Sequence, residues 1–504
     1  MMVDEMANGN NGNYLKAEEK ISMIFLPYGT ACILASLLFL CILQPTHGFL
    51  SYRIGWQSSL RLSLGRGPAE HCAAFSSTDP HACRCRARHF MSMSGETSSD
   101  DAYSLKLSSE ILQDSLRSRG LASVDLNNQR HLRVFAISDL HSDYRQSLNW
   151  IKAWSSYKDE YSHTVLLVGG DLSGDIRIVQ STLEACKEKF DEVFFVAGNH
   201  DLWVQPHFSQ PDNSVIGSNG HRRNSLHKLS DLVDLCDILD VRVGPVCFSG
   251  IAGGPQKDVW VFPLLSWYHA SWDKEPNLPE EVTEMIYSGR PGFEKRWADF
   301  RNCKWPEIIC SKEDFVSTTS DSTALAEYFA CLNKPWIRRF EARKESLAAD
   351  LDPSAPYSDL QNKGNQEFVI SFSHFLPRIE LCPEKRFLIE PEITKVIGSD
   401  PLERQVRSIQ SDLHVFGHTH IPIDMELEGV RYLTWPLGSA REQNRQCRPV
   451  KEVGPLLIYD STQGGEQPIQ ETMWGTYYQE NDRDVLVTEI APWVLNAAAQ
   501  RQRR

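Results

Sequence analysis

The sequence lacks the cysteine pairs of a disulfide framework or of a structural zinc site. Thirteen cysteines, an odd number, occur among 504 residues, and no two of them form a Cys-x-x-Cys pair. Five precede residue 90 and eight are scattered singly through the rest of the chain. This distribution is typical of reduced thiols that pack as small hydrophobic side chains.

The chain also lacks an excess of basic residues. Lysine and arginine total 52 against 66 aspartates and glutamates, so the formal net charge is -14. Nucleic-acid-binding proteins usually carry a basic face, and the composition gives no sign of such a surface. With 41% hydrophobic and 23% charged residues, the composition is that of a globular protein with some disordered sequence attached.

One long apolar run lies near the N-terminus. It begins at Ile21, ends at Leu43 and contains no charged residue. As a helix it would be about 34 Å long, enough to cross a bilayer core. One interpretation is an uncleaved membrane anchor. Because arginines are frequent after the run, the positive-inside rule then predicts a cytosolic C-terminal body.

In the second interpretation the run is a cleaved signal peptide. Thr46 and Gly48 supply small residues for a cut before Phe49, and the segment that follows is rich in arginine and serine. A signal peptide followed by such a segment resembles the two-part plastid addresses of algae with complex plastids. Residues 1–48 are therefore predicted to be a signal anchor or signal peptide, and residues 49–128 a transit-like or disordered linker with a short helix near Ser108 to Leu116.

From residue 131 onward, five short apolar runs each end in polar residues. They read HLRVFAISDLH, HTVLLVGGDLSGD, DEVFFVAGNHD, EFVISFSHF and DLHVFGHTH. Their β-branched and aromatic residues do not alternate with polar ones, as is typical of strands buried on both faces. Helix-like stretches separate the first three runs, which predicts βαβ units, a parallel sheet and an α/β fold.

The polar residues follow the predicted strands, where parallel sheets place their ligand sites. Singly, each has an ordinary explanation such as a helix cap, a turn or a core histidine. Together, so many buried polar side chains require compensation, and metal ions are the simplest source. Oxygen and imidazole ligands without thiolate suit Mn, Fe, Zn or Co, and seven ligands suit two ions that share a carboxylate. The seven candidates are Asp139, His141, Asp171, Asn199, His374, His418 and His420.

The motif order resembles the calcineurin-like metallophosphoesterase superfamily. The motifs are Asp-x-His, Gly-Asp, Gly-Asn-His-Asp, a single His and Gly-His-x-His, and the resemblance covers roughly residues 131–460. It implies a four-layer α/β/β/α sandwich, in which two sheets pack face to face with helices outside. We therefore expect a phosphoesterase domain at residues 131–461 and a C-terminal tail at residues 462–504.

The resemblance also implies roles for individual residues. Asp171 would bridge two metal ions, and His200 would lie beside the substrate without a metal bond. The first ion would be held by Asp139, His141 and His420, and the second by Asn199, His374 and His418.

The implied activity is hydrolysis of a phosphomonoester or phosphodiester by a hydroxide that bridges two divalent ions (Mn, Fe or Zn). His200 would stabilise the developing charge or protonate the leaving oxygen. The alternative is a non-catalytic binding or scaffold module of the same fold. The chain has the expected residue at every ligand position, which favours the enzyme.

The sequence departs from the protein Ser/Thr phosphatases of this superfamily. These carry GDxVDRG and RGNHE, whereas the chain has GDLSGD and VAGNHD, without the arginines. Gly174 replaces the aspartate that orients the catalytic histidine in those enzymes, which leaves Asp175, Asp201 or neither for that role. A small phosphorylated molecule is therefore favoured as substrate over a phosphoprotein.

Residues 273–363 are helical in pattern and rich in tryptophan and charge, which predicts a cap-like insertion over the site. Two residues near the motifs are candidates for substrate binding. Tyr268 ends an apolar run, and Arg378 follows His374 closely in SHFLPR. Core packing for the tyrosine and a solvated loop for the arginine are the alternatives.

Overall fold

The structure is a computed structural model that describes residue 110 and residues 112–204, 224–255, 258–349, 367–439, 442 and 454–502. The apolar run that begins at Ile21, most of the transit-like segment and the last part of the predicted cap lie outside these residues. Both interpretations of the N-terminus therefore stay predictions. Among the helices that the structure describes, none is long and apolar enough to cross a bilayer.

The described residues form two β-sheets and several helices. The strands are β1 (Ala122–Asp125), β2 (His131–Ile137), β3 (Ser162–Val168), β4 (Glu192–Phe195), β5 (Val246–Ser249), β6 (Asp258–Pro263), β7 (Glu367–Phe372), β8 (Leu413–Phe416), β9 (Ile423–Leu427), β10 (Val430–Thr434), β11 (Leu456–Asp460) and β12 (Gly465–Glu466). The α-helices are α1 (Arg145–Ala153), α2 (Ile176–Lys189), α3 (Ser225–Ile238), α4 (Glu280–Tyr287), α5 (Phe293–Arg296), α6 (Asp299–Asn302), α7 (Lys312–Val316), α8 (Ala324–Ala349), α9 (Asp400–Ser408), α10 (Met473–Glu480) and α11 (Pro492–Gln502).

The five apolar runs form β2, β3, β4, β7 and β8, as predicted, but they belong to two sheets. β2, β3 and β4 pair in parallel within a five-stranded sheet of order β12-β11-β2-β3-β4. β7 and β8 pair in parallel within a seven-stranded sheet of order β1-β5-β6-β7-β8-β10-β9. The five polar strand ends therefore do not lie along the edge of a single parallel sheet. Burial of a strand on both faces does not reveal which strands it pairs with.

Alternate residues of each strand face different layers. Leu132 and Val134 of β2 pack between the sheets with residues such as Val261 and Ile370 of the opposite sheet. Phe135 of β2 faces outward into a second apolar cluster. The helices supply the outer side of this cluster, with Val179 and Leu183 from α2 and Phe340 from α8. This arrangement confirms the four-layer α/β/β/α sandwich.

Part of the predicted linker belongs to the fold. Residues 112–118 are helical, and the side chains of Leu112 and Leu116 are fully buried. β1 then pairs in parallel with β5 at the edge of the larger sheet. The helix expected near Ser108 to Leu116 therefore packs on the domain, because two leucines four positions apart bury one of its faces.

The predicted C-terminal tail is also folded within the described residues. It contributes β12, α10 and α11, and it buries Trp474 and Val494. Few apolar residues are enough to fold this segment, because its helices pack on a surface that the rest of the domain already provides.

The packing of Leu116 predicts a measurable loss of stability on truncation. Leu116→Ala removes a fully buried side chain, and we expect it to lower the free energy of unfolding by about 2–5 kcal/mol in chemical denaturation. Leu347→Ala is the matched control, because that helical leucine is 49% exposed and should change stability by less than about 0.5 kcal/mol. Equal small effects would show that the segment before β1 does not pack as described.

Candidate metal centre

The carboxyl ends of the five strands bring two groups of ligand atoms together. The first group comprises Asp139, His141, Asp171 and His420, and the second comprises Asp171, His374 and His418. Within each group the ligand atoms lie within 4.8 Å of one another, and Asp171 belongs to both. Asn199 joins the second group, since its Oδ1 lies 3.0 Å from His374 Nε2 and 2.9 Å from His418 Nδ1. All seven candidates therefore lie in the two groups that the resemblance implied. Metal binding by each residue stays a prediction.

The histidines of the second group point unprotonated nitrogens at a common point. His374 Nδ1 lies 2.8 Å from Gly169 O, and His418 Nε2 lies 3.1 Å from Val396 O, so these nitrogens donate to the carbonyls. The other nitrogen of each ring is then an acceptor. These two acceptors are 3.2 Å apart and both face the amide oxygen of Asn199. Three converging acceptors repel one another unless a cation lies among them, so this donor set fits a divalent ion.

The first group shows a similar arrangement. His420 Nδ1 lies 3.0 Å from Glu442 Oε1, which leaves Nε2 directed at the group. That Nε2 is 2.9 Å from His141 Nε2 and 3.3 Å from Asp139 Oδ1. A histidine that binds a metal commonly donates a hydrogen bond from its other ring nitrogen to a carboxylate, which fixes the orientation of the ring. Glu442 is a residue that sequence reasoning missed, because nothing in its surroundings repeats a motif.

The electrostatics of the centre favour bound cations. Burial, together with the neighbouring carboxylates of Asp201 and Asp139, raises the pKa of Asp171 well above its ordinary value. Burial lowers the pKa of His141 to about 3 and also lowers the pKa of His374, so both rings are neutral, the form that binds metal. A nearby dication would stabilise the ionised form of the buried Asp171 carboxylate, and the neutral imidazoles can bind such an ion.

Backbone strain is concentrated at the ligands. Asp139, His141, Asp171, His418 and His420 have φ angles of 53°, 39°, 55°, 75° and 56°, in the left-handed region. This conformation costs a non-glycine residue on the order of 1 kcal/mol or more, and it occurs most often at functional sites. At each strand end the left-handed conformation turns the backbone out of the strand, so that the side chain faces the centre.

Two glycines of the motifs allow close approach of the backbone to the ligands. A Cβ on Gly198 would lie 2.2 Å from Asp171 Oδ1, and a Cβ on Gly417 would lie 2.9 Å from Asp139 Oδ2. Any side chain at these positions would displace a ligand oxygen. The glycines before Asn199 and His418 are therefore required by the space around the carboxylates.

Neither candidate aspartate orients His200. Asp201 accepts hydrogen bonds from the backbone N–H groups of Asp171 at 2.8 Å and Gly198 at 2.9 Å, so it holds the two loops together. Asp175 caps the N-terminus of α2. The His200 ring instead stacks on Trp203, with centroids 3.7 Å apart and planes inclined by 28°. Burial and the surrounding histidines lower the pKa of His200 well below its ordinary value, which makes its imidazole neutral.

A second residue missed by sequence reasoning lies in the insertion. Asp299 is fully buried, and its Oδ1 accepts from Asn199 Nδ2 at 2.8 Å and from Trp203 Nε1 at 2.7 Å. Its Oδ2 accepts from Trp297 Nε1 at 3.0 Å and from the hydroxyl of Tyr268 at 3.2 Å. Burial raises the pKa of Asp299 to about 6, against the effect of these hydrogen bonds. No spacing pattern could reveal it, because 100 positions separate it from Asn199.

The two candidates for substrate binding have different surroundings. The ring of Tyr268 lies 6.5 Å from that of His418, beside the second group. Arg378 forms ion pairs of 2.8 Å with both Glu380 and Glu428. These contacts do not support a phosphate contact for Arg378, because carboxylates already neutralise its guanidinium.

The predicted cap divides into two parts. Helix α8 covers the outer face of the larger sheet, where Phe340 packs on Trp260 and Phe262. The segment around Trp297 and Asp299 reaches the second group. Most of the insertion therefore completes the sandwich, and a short part of it forms one wall of the centre.

Comparison with known proteins identifies the family and a relative of known activity. The profile of calcineurin-like phosphoesterases matches residues 132–422. The [acyl-carrier-protein] phosphodiesterase PptH of Mycobacterium tuberculosis (strain ATCC 25618 / H37Rv) is 22% identical over 316 residues, which cover 62% of this chain and 80% of that protein. The crystal structure of the phosphopantetheinyl hydrolase PptH from Mycobacterium tuberculosis aligns with a TM-score of 0.39 and 18% identity, covering 66% of this chain and 96% of that one.

The crowding at Gly198 predicts loss of metal affinity on a small substitution. Gly198→Ala would push the shared carboxylate of Asp171 out of place, and we expect metal affinity to fall by about 10–100-fold, as for other changes that misorient ligands. Equilibrium titration of metal-free protein with Mn²⁺ measures this. Gly120→Ala is the control, because its Cβ would meet no atom within 4 Å. Equal affinities in the two variants would contradict the described crowding.

Proposed function

The chain belongs to the calcineurin-like phosphoesterase family and is a metal-dependent phosphoric ester hydrolase. From this premise we propose that it hydrolyses a small phosphorylated substrate and that its two groups of ligand atoms would hold two divalent ions, Mn, Fe or Zn. The observation that carries the proposal is the sharing of Asp171 between two groups of ligand atoms. A carboxylate in that position suits a pair of ions better than one, because each group can supply a separate ion.

The chemistry divides between the ions and the side chains. When bound, the ions supply a hydroxide nucleophile near neutral pH and neutralise charge on the phosphoryl oxygens. His200 would provide the hydrogen bond to the phosphoryl or leaving oxygen. Within the described part of the chain, its buried Nε2 has no hydrogen-bond partner, although it lies 3.9 Å from Asp171 Oδ2. Stacking on Trp203 holds the ring in this orientation.

The surroundings of the centre support a small substrate. The side chain of His374 is fully buried, whereas those of His200 and His420 are 13% and 11% exposed, so the opening lies on the side of the latter pair. Trp297 and Tyr268 close the space beside His418. A centre whose side chains are this deeply buried suits a compact ester or an extended phosphorylated arm, and it disfavours a phosphorylated side chain on a folded protein surface.

The activity of the relative supplies one specific candidate substrate. PptH is an acyl-carrier-protein phosphodiesterase. A phosphodiester therefore belongs in the substrate panel beside simple monoesters. The non-catalytic alternative is less well supported, because a scaffold has no need to keep seven converging ligands.

The proposal predicts two bound ions and their loss with Asp171. We expect metal analysis of the full chain to give two Mn²⁺, Fe²⁺ or Zn²⁺ per molecule, with hydrolysis of generic phosphomonoesters, phosphodiesters or a phosphopantetheinyl diester. Asp171→Asn removes the shared charge, and kcat should fall by about 10²–10³-fold or more, the scale for loss of one stabilising group in an active site.

Asp175→Asn is the matched control four residues away. Its carboxylate only caps α2 and pairs with Arg177, so metal content and kcat should stay near those of the unaltered protein. Absence of turnover with every metal and ester would refute the catalytic proposal, and absence of bound metal would favour the scaffold.

A further inference from the structure

We propose that Asp299 is a positioning residue for the metal centre, since it fixes the side-chain amide of Asn199 with the oxygen facing the second group. The proposal rests on the proposed two-ion function. It assigns to the insertion a role beyond covering the site, because one of its carboxylates determines which end of a ligand is presented.

An asparagine ligand needs such a device. Its amide has an acceptor end and a donor end of nearly equal shape, and only the oxygen can bind a cation. Asn199 Oδ1 faces His374 Nε2 and His418 Nδ1, and the opposite end donates to Asp299. If the amide turned over, its oxygen would oppose the Asp299 carboxylate and its NH₂ would occupy the position of the ligand oxygen. The carboxylate therefore selects the binding orientation.

Asp299 is itself held in one orientation. Its two oxygens accept four hydrogen bonds, two on Oδ1 and two on Oδ2, at distances of 2.7–3.2 Å. The donors are Asn199, Trp203, Tyr268 and Trp297. A carboxylate with about four acceptor positions is fully satisfied by this set, so it has no reason to rotate. Tyr268 and Trp297 anchor it through Oδ2, the oxygen that does not bond Asn199.

The same oxygen connects the ligand to His200. Asp299 Oδ1 also accepts from Trp203 Nε1, and Trp203 carries the His200 ring on its face. One buried oxygen atom thus orients the amide that faces the second group and the indole beneath His200. Such supporting groups typically change metal affinity by about 10–100-fold when removed.

A purely structural role for Asp299 makes a different prediction. The side chain would then serve only to satisfy the three aromatic donors Trp203, Tyr268 and Trp297. Its loss would lower thermal stability, and any effect on the two metal groups would be equal, since both depend on the same folded domain. The affinity of the second group alone separates the two roles.

The test is a metal titration of the full chain that does not use activity. Metal-free protein, Asp299→Ala and Asp299→Asn are titrated with Mn²⁺ by calorimetry, with Co²⁺ absorption spectra as a second readout. The binding step of the second group is identified as the step lost in Asn199→Ala. We expect Asp299→Ala to raise the dissociation constant of that step by about 10–100-fold and to leave the other step within about threefold. Asp299→Asn keeps the size and one acceptor oxygen, and its effect should be intermediate.

Asn333→Ala serves as the structural control. Asn333 is a fully buried amide of α8 that bonds the backbone N–H and C=O of Leu265 and the side chain of Gln405. Its loss removes a comparable set of buried hydrogen bonds from the insertion without touching Asn199. The melting temperature should fall, while both metal dissociation constants stay unchanged.

The outcomes separate this proposal from the proposed function. Fewer than two ions bound to the unaltered protein would refute the two-ion function and this proposal with it. Two ions bound, with an unchanged second step in the Asp299 variants or with both steps weakened equally, would overturn this proposal alone. If Asp299→Ala does not fold, the folded Asp299→Asn variant decides, and an unchanged second step there overturns the proposal because the charged acceptor has been removed.

Discussion

The carboxylate of Asp171 is the constraint on which the centre depends. It is 1% exposed, it belongs to both groups of ligand atoms, and the loop that carries it cannot relax without moving both. Asp201 holds that loop by accepting backbone hydrogen bonds from Asp171, Leu172 and Ser173 and from the neighbouring Gly198. One buried carboxylate therefore orders the backbone that positions a second, and cations at the site would stabilise the ionised form of the second.

One part of the insertion stabilises the domain, and another part contacts the metal centre. Its long helix α8 buries Phe340 and Trp336 against the domain, while Trp297 and Asp299 approach His418 and Asn199. This explains why the insertion is rich in tryptophan without being a simple cover. Trp297 donates its indole N–H to Asp299, and Trp336 packs in the apolar core.

The strands were predictable because burial on both faces leaves a strong local pattern. The runs of β2, β3, β4, β7 and β8 and the polar residues after them are visible without any knowledge of pairing. The packing of the segment from residue 112 to β1 and of the C-terminal helices was not predictable in this way. Leu116 and Val494 belong to short elements, and only their neighbours in space make these side chains part of the core.

The sequence by itself determined the fold class and the seven candidate ligands, because each ligand follows a strand whose composition and flanking glycines are local properties. The tertiary structure alone decided which strands belong to which sheet, that neither Asp175 nor Asp201 orients His200, and that Glu442 and Asp299 contact candidate ligands. The physical reason is distance along the chain. Hydrogen bonds between residues 22 or 100 positions apart depend on how separate elements pack, and no periodicity in the sequence records that packing.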